Sequence, residues 1–207
     1  MRPWGPAVAL LASAALLSGC TSGNAAPPLV ASPTPVGTYR GLELQPAQPR
    51  PTFTLTDTAG RPYDFAARTR ATPTLLFFGF THCPDICPTT MADVATALRG
   101  TPDPLRGTVR VVFVTTDPRR DSGPVIAAWL RAFDADLPVR FVGLTGTAAQ
   151  VEAAQAAAKV PVATDDGQTH SAELLLYGTD DYARVAYVGG SSPEDLRHDL
   201  PLVVREK

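Results

Sequence analysis

The chain has 207 residues, a length typical of one domain with additional segments. Hydrophobic residues make up 44% and charged residues 18%, with a formal net charge of −2, so the balance is that of an ordinary globular protein. No basic stripe is present, which argues against nucleic acid as a partner. Three cysteines are too few for a disulfide-scaffold protein, and their odd number gives at least one a role other than internal pairing.

Residues 1–19 predict a lipoprotein signal peptide. Arg2 supplies a positive charge, and the apolar run at 7–17 is too short to span a bilayer. The sequence LSGC that ends at Cys20 resembles the bacterial lipobox, in which the cysteine is lipidated and becomes the mature N-terminus. We therefore expect a lipid on Cys20 to hold the chain on the extracytoplasmic side of the cell membrane. The alternative is an ordinary secretory signal with a chance cysteine.

Residues 20–51 predict a lipidated, proline-rich tether. Prolines recur here among small and polar residues, without apolar periodicity and with little charge. Such a composition favours a semi-extended segment rather than a packed one. The folded domain is accordingly expected at residues 52–207.

The domain predicts alternating strands and helices. Two short alternating segments, 53–55 and 63–65, flank a turn and indicate a β-hairpin. We predict strands at 74–80, 109–115, 139–144, 173–177 and 184–188, and helices at 88–98, 125–133, 147–159 and 193–203. This order predicts an α/β domain with a mostly parallel sheet covered on both faces. The closing strand pair and helix favour a thioredoxin-like sandwich with an N-terminal β-hairpin.

The most informative stretch is FGFTHCPDICP at 78–88, where residues 80–88, the cysteine loop, join a buried strand to a helix. Ligand sites form at such strand ends in α/β sheets. Prolines follow both Cys83 and Cys87 and stiffen the loop. Because the cysteines precede or open a helix, we expect its dipole to favour the thiolate form.

Three residues separate Cys83 from Cys87 in the chain, whereas two residues separate the cysteines of the thioredoxin motif. A pair of thiolates suits a soft ion such as copper(I), or half of a zinc site. A four-ligand zinc site would need two of the three histidines or an acid. The structural alternative is a plain disulfide between Cys83 and Cys87, but a loop this short gains little stability from closure.

The cysteine loop closely resembles the signature of the Sco/SenC family of copper proteins. The sequences TTDPRRDS at 115–122 and THSA at 169–172 resemble two further segments of that family, and the similarity extends over about 52–203. In the family the histidine of the second segment is the third copper ligand, which implies His170. One departure is Thr169, which stands where many members have Asp and is expected to affect how His170 is oriented.

The resemblance implies a copper ion bound by Cys83, Cys87 and His170. It also implies delivery of copper to the binuclear copper site of cytochrome c oxidase, so the oxidase subunit carrying that site and other copper carriers are the expected partners. An alternative is a thiol-disulfide reductase that keeps partner cysteines reduced through Cys83 and Cys87. A third is a thiol peroxidase, since this fold hosts several thiol enzymes.

Other polar residues near these motifs have plainer interpretations. His82 is expected to lie outside the metal ligands or to face solvent, and His198 to lie on a solvated helix face. Asp85 either influences the ligands or caps the loop. Asp117 and Arg120 are expected to terminate a strand rather than to dock a partner.

Overall fold

Eight strands and six helices make up the part of the chain that the computed structural model describes, residues 38–190 and 192–205. The strands are β1 (Leu42–Pro49), β2 (Thr54–Asp57), β3 (Pro62–Asp64), β4 (Thr74–Gly79), β5 (Arg110–Thr115), β6 (Val142–Thr145), β7 (Glu173–Tyr177) and β8 (Tyr182–Val188). The helices are α1 (Phe65–Thr69), α2 (Ile86–Arg99), α3 (Leu105–Thr108), α4 (Gly123–Asp134), α5 (Ala148–Ala157) and α6 (Pro193–Arg205). The predicted signal peptide, Cys20 and the first part of the predicted tether lie outside the described residues.

The strands form one sheet in the order β1-β8-β7-β4-β5-β6-β2-β3. Only the β4–β5 and β5–β6 pairs are parallel; β7, β8 and β1 add antiparallel strands on one side, and β2 and β3 do so on the other. The expectation of a mostly parallel sheet is therefore wrong, because the edge strands return by hairpins or by loops. The predicted hairpin is confirmed as β2 and β3, although β1 precedes it in the chain.

The core lies on both faces of β4, whose six residues are all buried. Leu75 and Phe77 pack on the face covered by α2, α4 and α6, whereas Leu76 and Phe78 pack on the face covered by α1 and α5. This alternation follows from the period of two along a strand. Burial of each such side chain is worth about 2 kcal/mol relative to exposure. The central strands therefore give the site at their ends a rigid base.

Strand β1 corrects the predicted boundary between tether and domain. Residues 42–49, which the composition assigned to the tether, pair antiparallel with β8 at the sheet edge. Prolines are tolerated there because an edge strand has amides that need no partner in the ladder. Just after β1, the buried guanidinium of Arg50 donates to Asp181, Thr69 and the Gly178 carbonyl, which fixes the strand to the domain.

The elements that carry the candidate site meet at one end of the sheet. The carboxyl ends of β4 and β5 lie side by side, with Gly79 opposite Thr115. Helix α2 starts at this end, and β7 starts there because it runs antiparallel to β4. Within residues 38–190 and 192–205, no helix is both long enough and apolar enough to cross a membrane.

Candidate metal centre

The structure brings Cys83, Cys87 and His170 together. Their ligand atoms, two Sγ and one imidazole nitrogen, all lie within 4.8 Å of one another. Sγ of Cys87 is 3.4 Å from Nε2 of His170, although 83 positions separate the two residues in the chain. An ion bonded at about 2.3 Å to each sulfur holds the two sulfurs at most about 4.6 Å apart, so the ligand atoms would have to close slightly to bind one ion together.

Cys83 lies in the loop just before α2. The Cys87 backbone N–H donates a hydrogen bond to the Cys83 Sγ over 3.5 Å. The sulfur therefore accepts from a first-turn amide that the side chain of an N-cap residue usually satisfies. Asp85, the residue before the helix, makes no side-chain capping bond. The capping alternative for Asp85 is therefore wrong, and the helix dipole acts on the Cys83 sulfur instead.

Cys87 has a different environment, because its side chain is fully buried. Burial raises the pKa of the Cys87 thiol, and a backbone hydrogen bond from Phe80 only partly opposes this effect. The expectation that the helix end favours thiolate at both cysteines is thus wrong for Cys87. Both cysteines are free thiols in this structure, and a soft cation would have to displace the Cys87 proton on binding.

His170 presents Nε2 to the two sulfurs. Its Nδ1 lies 2.8 Å from the backbone carbonyl of Ser171, and because a carbonyl only accepts, Nδ1 carries the proton. In the neutral ring Nε2 therefore has a free lone pair directed at the thiol of Cys87. The ring stands edge-on to Phe77 and Phe80, with centroid distances of 6.1 Å and 5.6 Å. These rings exclude water from one side of the donor set.

The segment that carries the imidazole, residues 164–170, is here called the histidine loop. Asp165, Asp166 and Gly167 adopt positive φ in succession. The Thr116 hydroxyl donates to the Gly167 carbonyl at 2.6 Å, and a Cβ on Gly167 would lie 1.8 Å from the Thr116 carbonyl oxygen. Glycine is therefore required where the loop rests on the end of β5.

Thr169 stabilises the histidine loop without setting the ring angle. Its hydroxyl donates to Asp165 at 2.8 Å, and its backbone pairs with Thr164. The orientation of His170 instead comes from the carbonyl of Ser171. A threonine is thus compatible with this imidazole position.

Asp121 is a residue that the motif interpretation did not single out. Its buried carboxylate accepts from the Thr81 backbone N–H at 2.8 Å, the Thr81 hydroxyl at 2.6 Å and the Thr115 hydroxyl at 2.7 Å. It therefore ties the cysteine loop to the end of β5. The sequence signal available was its place in TTDPRRDS, the segment after that strand.

The remaining polar residues take several positions. His82 is half exposed, with Nδ1 3.4 Å from the Asp121 carboxylate, which fits its predicted place outside the ligands.

Asp117 is buried and pairs with Arg120, whose guanidinium also lies 5.9 Å from the Phe80 ring. His198 is exposed on α6, as predicted, and its Nδ1 lies 2.7 Å from Asp199, a fully buried carboxylate.

The donor set fits a soft cation. Two thiol sulfurs and one imidazole nitrogen form the low-coordinate site that copper(I) accepts. Among the residues described, no fourth His, Cys, Asp or Glu belongs to the cluster, so the set lacks the four protein ligands of a structural zinc site. The hydrophobic wall and the hydrogen-bonded imidazole further suit metal ligation.

Solved structures share this architecture. Copper-bound ScoI from Bradyrhizobium japonicum is 29% identical, with a TM-score of 0.62, over 75% of this chain and 99% of that one. Apo Sco1 from Thermus thermophilus is 28% identical, with a TM-score of 0.65, over 82% of this chain and 99% of that one. The thioredoxin-like fold class predicted from the sequence is therefore confirmed.

Curated relatives match over shorter stretches. The mitochondrial SCO2 homologue of Mus musculus is 41% identical over 103 residues, 48% of this chain and 37% of its own length. The matches cover less than two thirds of the length of the first such relatives. The SCO1/SenC family model matches residues 43–205, a range that contains the two cysteines, the histidine and the loops that hold them. The chain belongs to the SCO1/SenC family.

Proposed function

We propose that this protein is an extracytoplasmic copper metallochaperone, anchored by a lipid on Cys20, that delivers copper to the binuclear copper site of cytochrome c oxidase. The observation that carries the proposal is the convergence of Cys83, Cys87 and His170 within 4.8 Å. The family match supports it, as does the ScoI structure with copper bound. The proposed cargo is one copper ion held by two sulfurs and Nε2.

Metal binding at this site depends on the redox state of the two cysteines. A disulfide between Cys83 and Cys87 would remove both sulfur ligands, whereas the reduced pair supplies them. Transfer would proceed by ligand exchange, in which partner donors bond to copper as Cys83, Cys87 and His170 release it. The exposed side of the site must therefore face the partner.

Copper stoichiometry tests the binding part of the proposal. We expect about one copper(I) per reduced chain, loss of that copper in Cys83→Ser and Cys87→Ser, and affinity at least about tenfold lower in His170→Ala. His198→Ala is the matched control for His170→Ala, since it also removes an imidazole but should leave the stoichiometry unchanged. Binding that survives intact in Cys83→Ser or His170→Ala would refute the ligand set.

Delivery is tested with the oxidase subunit that carries the binuclear site. Copper-loaded protein mixed with the reduced, metal-free subunit should transfer copper(I), which is measured as the copper content of the two proteins after they are separated. Copper that remains on the donor, or that moves equally fast from free copper complexes, would contradict a delivery role.

The different burial of the two thiols favours thiol-disulfide reduction as a second candidate. Cys83 is partly exposed, whereas Cys87 is fully buried beside it. The Cys83 thiolate would attack a partner disulfide, forming a mixed disulfide and releasing one partner thiolate. Cys87 would then attack the Cys83 sulfur, releasing the second partner thiol and leaving this protein oxidised by two electrons.

A trapping experiment distinguishes this candidate. Cys87→Ser should accumulate the mixed disulfide with the oxidised oxidase subunit, whereas Cys83→Ser should not. Equal trapping by both variants would contradict the assigned order of attack, and no trapping by either would refute the reductase role.

A further inference from the structure

The imidazole of His82 is held in place through a hydrogen bond at Nδ1, whereas Nε2 makes no hydrogen bond within the described chain. Nδ1 lies 3.1 Å from the Thr81 hydroxyl oxygen, and that hydroxyl donates to the Asp121 carboxylate at 2.6 Å. Since the hydroxyl proton is committed to the carboxylate, its oxygen accepts from Nδ1–H. The neutral ring therefore keeps its lone pair on Nε2, and the side chain is 53% exposed.

This arrangement is typical of metal-binding histidines. Such residues donate one ring N–H to a carboxylate, a carbonyl or another oxygen, which sets the ring angle and raises the basicity of the other nitrogen. Asp121 is fully buried and also accepts from the backbone N–H of Thr81, so the Thr81–Asp121 pair forms a fixed support for the ring.

His82 is not one of the three converging donors. Within the described chain, the cluster of ligand atoms comprises Cys83, Cys87 and His170. His82 adjoins Cys83, with the two Cα atoms about 3.8 Å apart, and Cys83 is the more exposed residue of the two cysteines. A copper ion arriving from solvent or from a partner reaches His82 and Cys83 before the buried Cys87.

We propose that Nε2 of His82 is a transient copper(I) ligand at the mouth of the site, a role that rests on the proposed copper-carrying function. On loading, a bond from copper to Nε2 forms as a donor-ligand bond breaks. Bonds to Cys83, Cys87 and His170 then replace it, with the thiol protons released to solvent. Copper stays in the +1 state throughout, and unloading follows the same steps in reverse.

Exchange kinetics test the proposal. Copper(I) is moved between the full chain and bathocuproine disulfonate in both directions by stopped-flow absorbance, and the equilibrium is measured separately. A transient ligand lowers the barrier in both directions, so in His82→Ala both rates should fall about tenfold while the dissociation constant stays within about twofold. Unchanged rates would overturn the proposal, and so would an affinity that falls together with a faster release, because that marks a resident ligand.

His82→Asn separates ligation from loop geometry. Its amide N–H can replace Nδ1–H toward Thr81, but it has no nitrogen in the place of Nε2. We expect it to exchange copper as slowly as His82→Ala; exchange at the wild-type rate would assign His82 a purely structural role. His198→Ala is the matched control, since it removes a histidine whose Nδ1 also pairs with a buried carboxylate, on α6.

A failure of the proposed function and a failure of the proposed role of His82 give different results. Copper binding that is indifferent to Cys83→Ser would refute the proposed function itself. Tight copper binding by the three donors, with wild-type exchange rates in both His82 variants, would refute only the role of His82.

Discussion

The two loops that supply the candidate ligands are built in opposite ways. The cysteine loop follows a fully buried strand, leads into a long helix and is held by the buried carboxylate of Asp121. The histidine loop has successive left-handed residues, is mostly exposed, and rests on the domain through Gly167 and Thr116. The two cysteines are therefore held against the buried core, whereas the imidazole is carried by a mostly exposed segment with few contacts to that core.

The largest effect is expected where the cysteine loop is tied to β5. Asp121→Ala leaves the Thr81 amide and two hydroxyls without their acceptor, and should lower the free energy of unfolding by about 3 kcal/mol. Urea denaturation of the metal-free protein measures it. Asp121→Asn, which keeps one acceptor oxygen, should cost about 1 kcal/mol. Equal, small losses in both variants would show that the loop does not depend on this carboxylate.

Gly79→Ala tests the rigidity of the sulfur side. A Cβ there would lie 2.8 Å from the Cys87 Sγ and 2.8 Å from the Phe77 ring, and both of these side chains are fully buried. Overpacking at such a site should cost about 2 kcal/mol in stability and also weaken copper binding. Thermal unfolding and copper titration check the two effects. A stable variant with weakened copper binding would contradict a sulfur position set by the core.

Gly167→Ala should show the reverse pattern. The added Cβ would clash with the Thr116 carbonyl, a backbone group, at a positive φ, so the histidine loop has to move away from β5 to relieve the clash. We expect a stability loss of about 1 kcal/mol, from the lost hydrogen bond between Thr116 and Gly167 in a mostly exposed loop, together with copper affinity about tenfold lower as His170 is displaced. Gly60→Ala is the matched control, because it has positive φ in a turn with nothing within 4 Å of its Cβ. A stability loss as large as that of Gly79→Ala would remove the distinction between the two loops.

Features that depend on residues close together in the chain could be predicted from the sequence. The buried strand β4 follows from its unbroken apolar run, and the cysteine spacing marked the site before any contact was known. The resemblance to a family then predicted His170, which no local pattern distinguishes from a surface histidine. The structure places its Nε2 beside Cys87, and the role of all three residues as copper ligands stays a prediction.

What the sequence could not predict depends on distant partners. Asp121 lies 40 positions from Thr81, so its role follows from the fold and not from its neighbours. Strand β1 was assigned to the tether because prolines suggest a loose segment, yet β8 supplies an edge where they fit. The different burial of Cys83 and Cys87 likewise depends on tertiary packing, which the position of a cysteine at a helix end does not reveal.

The central claim is that both loops supply ligands to one ion. X-ray absorption spectroscopy of the copper(I)-loaded protein tests it most directly, because sulfur and nitrogen neighbours differ in distance and scattering. We predict two sulfur neighbours and one imidazole nitrogen, with the imidazole contribution lost in His170→Ala and retained in His198→Ala. An imidazole contribution that persists in His170→Ala, or a copper shell without sulfur, would contradict the account.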